Sequence, residues 1–227
     1  MKTFHTILTV TVTLMVTSCE KMGDEIKEGG QKIKEVVTGE TDEKDKDEDK
    51  EAPAAPPSIF NDENLGRVVQ NALGLGSVSV KDMASLENLR ADNSEISDLS
   101  VLKYATNLTT LSLQNNQISN LAPLAGLSKL AWLNLMENNI ADGPTSLEGL
   151  AELKNLHELH LAHNRITDIS PLAGLNNLFR LSLNDNQITD VTPLAKLDNL
   201  LELPLARNKI TDLAPLAKLI KLEYLTL

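Results

Sequence analysis

Residues 178–197 read LFRLSLNDNQITDVTPLAKL, and the spacing inside them decides the fold. Their first half follows the pattern L-x-x-L-x-L-x-x-N-x-I. The same pattern begins at Leu108, Leu130, Leu156 and Leu200. A degenerate copy begins at Leu86, with Ala91 and Ser94 where leucine and asparagine belong. A last copy begins at Leu222 and reaches its sixth position at Leu227. Successive copies are 22 residues apart, except for 26 between Leu130 and Leu156. A fixed short period of this kind predicts a solenoid in which each turn adds one strand and one return segment.

Side-chain chemistry explains the spacing. Leu178, Leu181, Leu183, Ile188, Val191, Leu194 and Leu197 are predicted to point inward. One turn buries too little apolar surface to stand alone, so neighbouring turns must stack and share strand hydrogen bonds. Asn116, Asn138, Asn164, Asn186 and Asn208 each follow a strand. They are expected to be buried, bonding backbone groups that the turn leaves unpaired. The return segments carry Pro123, Pro171, Pro193 and Pro215, which suit short 3₁₀ turns better than long helices. Ahead of the repeats, Phe60, Leu65, Val68, Val69 and Leu73 recur at helical spacing. Asn61 or Asp62 can cap that helix, and Gly74 lies near its stop. The extra residues around Asp142–Ser146 precede Leu147, Leu150 and Leu153, whose spacing predicts a longer helix on the convex side.

The second half of the repeat, I-x-D-[LIV]-x-P-L-A-x-L, runs from Ile166 to Leu175 and again from Ile188 to Leu197. With the first half, it resembles the internalin-like class of bacterial leucine-rich repeat proteins. The resemblance covers the chain from about Ile59 onward, and Ile59 to Leu102 looks like the entry cap of such proteins. It implies an α/β solenoid: a horseshoe with a parallel concave sheet, short 3₁₀ or helical convex segments and a helical N-terminal cap. The expected division is a cap over 59–85 and repeats over 86–227, six turns plus a final strand. An uncapped last strand at Leu222–Leu227 invites edge pairing or aggregation, so the expectation is either a truncated chain or a partner that covers it.

Composition agrees with a repeated core. Of 227 residues 41% are hydrophobic but only 3% aromatic, and 41 are leucine. The net charge of −11 argues against nucleic acid or an anionic membrane surface as a partner. Cys19 is the only cysteine, which excludes an intrachain disulfide framework. Lys2 and the apolar run Phe4–Val16, too short to span a bilayer, read as a signal peptide over 1–18. Val16-Thr17-Ser18-Cys19 resembles the lipobox of bacterial lipoproteins, which implies cleavage before Cys19 and its lipidation. The expected location is therefore the bacterial cell envelope. Glu20, rather than aspartate, favours the outer over the inner membrane. Residues 19–58 hold 13 acidic and seven basic side chains and end in Pro/Ala-rich sequence, which predicts a disordered tether.

The concave strand face is the one candidate site. The third position of each repeat supplies Thr110, Trp132, Glu158, Arg180, Glu202 and Tyr224. The fifth supplies Arg90, Ser112, Asn134, His160, Ser182, Pro204 and Thr226. Glu158, Arg180 and Glu202 on adjacent strands are expected to form an alternating charge ladder. Trp132 and neighbouring Phe179 are the expected aromatic anchors of a binding strip. Trp132, Asn134, Glu158, His160, Phe179, Arg180, Glu202 and Tyr224 are thus the expected ligand-binding residues.

His157, His160 and His163 are too far apart along one strand to share a metal, and are expected to be exposed and sensitive to pH near 6–7. A cross-strand set of Glu137, His163 and Asp185 is geometrically conceivable, but no metal or other cofactor is expected. No nucleophile elbow, phosphate loop, HExxH or dinucleotide motif is present, so no catalysis is expected. The expected function is capture of a protein or peptide by a lipid-anchored envelope protein. The alternative is a structural component that self-associates through its C-terminal repeat edge.

Overall fold

A computed structural model describes residues 58–141 and 147–227. The signal segment, Cys19, the tether up to residue 57 and the insertion at 142–146 lie outside the described residues. Seven three-residue strands form one parallel sheet in chain order: β1 (Asn88–Arg90), β2 (Thr110–Ser112), β3 (Trp132–Asn134), β4 (Glu158–His160), β5 (Arg180–Ser182), β6 (Glu202–Pro204) and β7 (Tyr224–Thr226). The α/β solenoid is therefore present as expected, one strand per turn. The seven inward side chains of the Leu178–Leu197 turn are all fully buried. They join one continuous core that runs from Leu65 to Leu219.

Each of β1–β6 returns over a short 3₁₀ helix on the convex side: Ser100–Tyr104, Ala122–Leu124, Glu148–Leu150, Ser170–Gly174, Thr192–Leu194 and Ala214–Lys218. The aspartate of the I-x-D motif has a local task here. Side-chain oxygens of Asp98, Asp168, Asp190 and Asp212 accept the N–H two residues ahead at 2.6–2.8 Å, and Asn120 does the same at 3.0 Å. Such a bond opens the 3₁₀ turn by giving an orphan donor a partner.

The longer convex helix expected at Leu147–Leu153 is not formed; the described residues there hold only the 3₁₀ turn Glu148–Leu150. Packing explains why. Leu147, Leu150 and Leu153 all point into the core. Gly149, standing where four other turns have proline, packs so closely on the preceding turn that a Cβ would meet Leu121 O. No room is left for a wider helix.

The N-terminal cap is α1 (Glu63–Leu73) followed by the single turn α2 (Val80–Met83). Of the two N-cap candidates, Asp62 does the work. One carboxylate oxygen accepts the Leu65 N–H at 3.0 Å, and the other accepts the N–H groups of Ser97 and Asp98. The cap is thereby started and fastened to the first repeat by one side chain. Gly74 ends α1 at φ 67°, where a residue with a Cβ would be strained. Burial fades at the other end of the ladder, where Ile220 is 91% exposed and Leu225 and Leu227 are also exposed.

The asparagines tie successive turns together. Asn164 donates to Leu135 O of the previous turn and to Leu161 O and Ala162 O of its own, while its side-chain oxygen accepts Ile140 N–H. Asn138 and Asn186 repeat the arrangement, and Asn116 extends it to Ser94 N–H. Removing one such amide strands several buried backbone groups at about 1–3 kcal/mol each. Asn164→Ala is expected to lower unfolding free energy by at least about 3 kcal/mol, measured by urea denaturation. A surface substitution such as Lys196→Ala is expected to change it by less than about 0.5 kcal/mol.

Candidate functional site

Pairing brings the third-position residues into one row across the sheet. Asn88, Thr110, Trp132, Glu158, Arg180, Glu202 and Tyr224 are direct cross-strand neighbours in that order. The fifth-position row runs from Arg90 through Ser112, Asn134 and His160 to Ser182. Between β5 and β6 the registered pairing narrows to Arg180 with Glu202. Pro204 stands at the fifth position of β6 and has no N–H to donate there.

The two rows differ in reach. Ser112, Asn134 and Ser182 are buried, whereas Thr110, Trp132, Glu158, Arg180 and Glu202 are half-buried. Internal bonds occupy two of these buried side chains. Ser112 Oγ donates to Asp92 at 2.5 Å, and Asn134 accepts the Met136 N–H and donates to Gln114. Asn134, expected to meet ligand, thus lies below the surface and holds the strand exit.

Trp132 stands over the sheet with its ring 5.6 Å from that of His160, tilted by 53°. On its other side is a groove of about 600 Å³ lined by Asn88, Leu89, Arg90, Thr110, Ser112 and Trp132. Thr110 and Ser112 are small, so the strand before the tryptophan leaves the space that its ring walls. Asn88, Thr110 and Ser112 were not among the expected site residues. The available signal was two small side chains beside the only tryptophan in the same two rows. Phe179 does not line the groove; it precedes β5 and its ring meets His157 at 6.2 Å. The two aromatic anchors therefore occupy separate contacts. Tyr224 is exposed in β7, at the far end of the row.

The charge ladder forms as expected. Arg180 Nη2 donates to Glu202 Oε1 at 2.6 Å, and Nη1 reaches Glu158 Oε2 at 3.4 Å. The hydrogen bond to Glu202 and the two carboxylates hold the guanidinium proton more tightly than usual, against the opposing effect of burial. Arg180 Nε is buried and makes no hydrogen bond. His160 Nε2 lies 3.5 Å from Glu158 Oε2, so His160 touches both the tryptophan and the ladder.

The histidines separate into different surroundings. His157 meets Phe179, and His163 Nε2 lies 3.6 Å from Asp185 Oδ2. Glu137 instead receives the Gln114 amide. Among the described residues no three His, Cys, Asp or Glu side chains gather to hold a metal. His160 is not the exposed side chain expected. Burial pushes its pKa below the usual 6.5, Arg180 acts the same way, and the Glu158 carboxylate only partly opposes them.

The eighth position of each repeat is a further feature that spacing did not reveal. Asn93, Asn115, Glu137, His163, Asp185 and Arg207 all have φ between 53° and 57°. Asparagine, aspartate and histidine are the side chains most often found with this left-handed backbone, whereas Glu137 and Arg207 are strained by it. Their side chains run along the strand exits, where Arg207 pairs with Asp185 and Asn115 with Asn93.

The sequence matches the model described as leucine-rich repeats in two copies over residues 128–174, 154–196 and 176–218. It matches a single leucine-rich repeat model over 104–121. An internalin (inlF) of Listeria monocytogenes is similar in structure, with TM-score 0.61 and 30% identity over 77% of this chain and 59% of that one. The chain thus spans a little under two thirds of that internalin. Internalin C2 of the same organism has TM-score 0.53 and 33% identity over 74% of this chain and 94% of its own. A leucine-rich repeat protein of Leptospira interrogans has TM-score 0.59 and 34% identity, over 67% of this chain and 40% of that one. No curated protein matches the sequence significantly.

The low His160 pKa fixes the sign of a stability effect. In the window below about 6.5 the unfolded chain takes up a proton that the folded chain resists, so stability is full above that window and falls as pH drops through it. His160→Gln is expected to shrink the difference between urea midpoints at pH ~7.5 and ~5.5 relative to the unsubstituted chain. An unchanged difference would mean that His160 does not resist protonation.

Proposed function

The chain belongs to the leucine-rich repeat family, and we propose that it is a lipid-anchored protein of the bacterial cell envelope that captures a protein or peptide on its concave face. The repeat family is one of protein-interaction scaffolds rather than enzymes. Its stacked turns create extended concave binding surfaces. The observation that carries the reading is the groove beside Trp132, set in a row of half-buried side chains that cross the sheet. Tryptophan is among the residues most often found to dominate interface energetics, and the only one in the chain stands in that row.

Anchoring is supported by sequence: a short apolar run ends in Val16-Thr17-Ser18-Cys19. More than one acyl chain is needed for stable attachment, which multiple acylation of that cysteine would supply. Residues 20–57 are rich in charge and proline, and would hold the repeats away from the bilayer. Glu20 supports the outer membrane as the destination.

Two measurements test the two halves of this reading. In the producing cell, Cys19→Ser is expected to move the protein from the detergent phase to the aqueous phase on phase separation. Persistence in the detergent phase would reject lipid anchoring at Cys19. A photo-crosslinking residue at Thr110, inside the groove, is expected to yield a covalent adduct with a partner. The same residue at Lys196, beyond the convex 3₁₀ turn, is expected to yield none. Equal adducts from both positions would reject the concave face as the site.

A further inference from the structure

The concave face divides into two halves with different chemistry. Over β1–β3 lies the groove, walled by Trp132 and floored by Thr110 and Ser112. Over β4–β6 lies the acid–base–acid ladder. Arg180 is one cation shared between two carboxylates, so the ladder keeps one uncompensated negative charge. His160 does not cancel it near neutral pH, because burial disfavours its charged form. Arg180 binds Glu158 through Oε2 and Glu202 through Oε1. The other oxygen of each carboxylate makes no hydrogen bond among the described residues and is free to accept one. Both carboxylates are partly exposed, at 23% and 38%.

The shape of the surface limits what can lie on it. Across β2–β5 the third-position residues Thr110, Trp132, Glu158 and Arg180 are all half-buried, whereas of the fifth-position residues only His160 is, since Ser112, Asn134 and Ser182 are buried. Groove and ladder lie along that same row, so a single extended segment crossing the strands meets both. From the strand at the middle of the groove, β2, to the middle of the ladder, β5, is three strand spacings. That is about 14 Å at about 4.8 Å each, or about four residues of extended chain.

We propose, building on the concave-face reading, that the occupant is an extended basic peptide segment crossing the sheet. It would set an apolar side chain against Trp132 in the groove and a lysine or arginine, about four residues away, between Glu158 and Glu202. The ladder then holds two cations between two carboxylates, and the charge is balanced. Arg180 has the role of spacing the carboxylates apart, with each already held at a fixed place to receive the second cation.

The experiment is panning of a random linear dodecapeptide phage library on the 227-residue chain. Synthetic copies of the selected peptides are then titrated against the intrinsic fluorescence of Trp132, the only tryptophan. Selected peptides are expected to carry lysine or arginine about four residues from an apolar residue, to perturb Trp132 emission and to bind more weakly in high salt.

The double variant Glu158→Gln/Glu202→Gln, checked for folding by circular dichroism, is expected to weaken them at least about tenfold. Arg180→Gln, which leaves both carboxylates unpaired, is expected to tighten them. Acidic peptides that lose binding in Arg180→Gln would overturn the proposal, as would failure to select any peptide. Peptides that perturb Trp132 without a basic residue would overturn it while leaving concave-face capture standing. Peptides that bind without perturbing Trp132 would count against both.

Discussion

One interaction recurs at every turn and the rest depends on it: a buried asparagine amide that bonds the backbone of its own turn and of the turn before. Asn116, Asn138, Asn164 and Asn186 are nearly fully buried, and each reaches back to a carbonyl at least 25 residues earlier. The need arises from the turn itself. After three strand residues the chain leaves the sheet through a left-handed residue at the eighth position. Such a sharp exit leaves carbonyl and N–H groups inside without sheet partners, and buried groups of that kind are costly. The amide, with two donors and an acceptor, satisfies them in one place. Asn208 does the same for the last complete turn with less burial around it.

From that constraint the functional surface follows. Tight exits keep the strands short and in register, so the third and fifth positions of successive turns form straight rows. Three members of the fifth row, Ser112, Asn134 and Ser182, are buried in the fold, with bonds such as Ser112 to Asp92 and Asn134 to Met136, while Arg90 stays exposed. The third row is left to face outward, and it holds both Trp132 and the Glu158–Arg180–Glu202 ladder. His160 bridges the two through Trp132 on one side and Glu158 on the other. Its burial makes it part of the scaffold under the site, which is why its proton affinity is set by desolvation rather than by its carboxylate neighbour.

The convex side obeys a different limit. Each return segment must match the spacing of the strands opposite, so the 3₁₀ turns stay short even where four more residues were inserted. Gly149 against the Leu121 carbonyl shows how little space remains between neighbouring returns. The aspartates that begin most of these turns meet a local need that repeats with the period. At the entry end, Asp62 combines a helix cap with attachment to Ser97 and Asp98. Those backbone bonds outweigh the effect of burial and hold its carboxyl pKa below the ordinary value.

The repeat, its inward leucines, the asparagine ladder, the capping helix and the cross-strand order of Glu158, Arg180 and Glu202 were all determined by sequence. They depend on periodicity, and periodicity is a one-dimensional property. The N-terminal anchor expected at Cys19 also belongs to sequence alone, since those residues lie outside the described structure. Only the tertiary structure decided which outward positions are reachable. Asn134 and Trp132 are two residues apart on the same strand, and sequence placed them on the same face. Yet Asn134 is 8% exposed and spent on internal bonds, while Trp132 walls a groove. Reach depends on curvature and on neighbours 20 or more residues away, such as Asp92, Gln114 and Thr110. The same holds for the left-handed exits at Glu137 and Arg207, where the closing geometry of the solenoid overrides the preference of the residue.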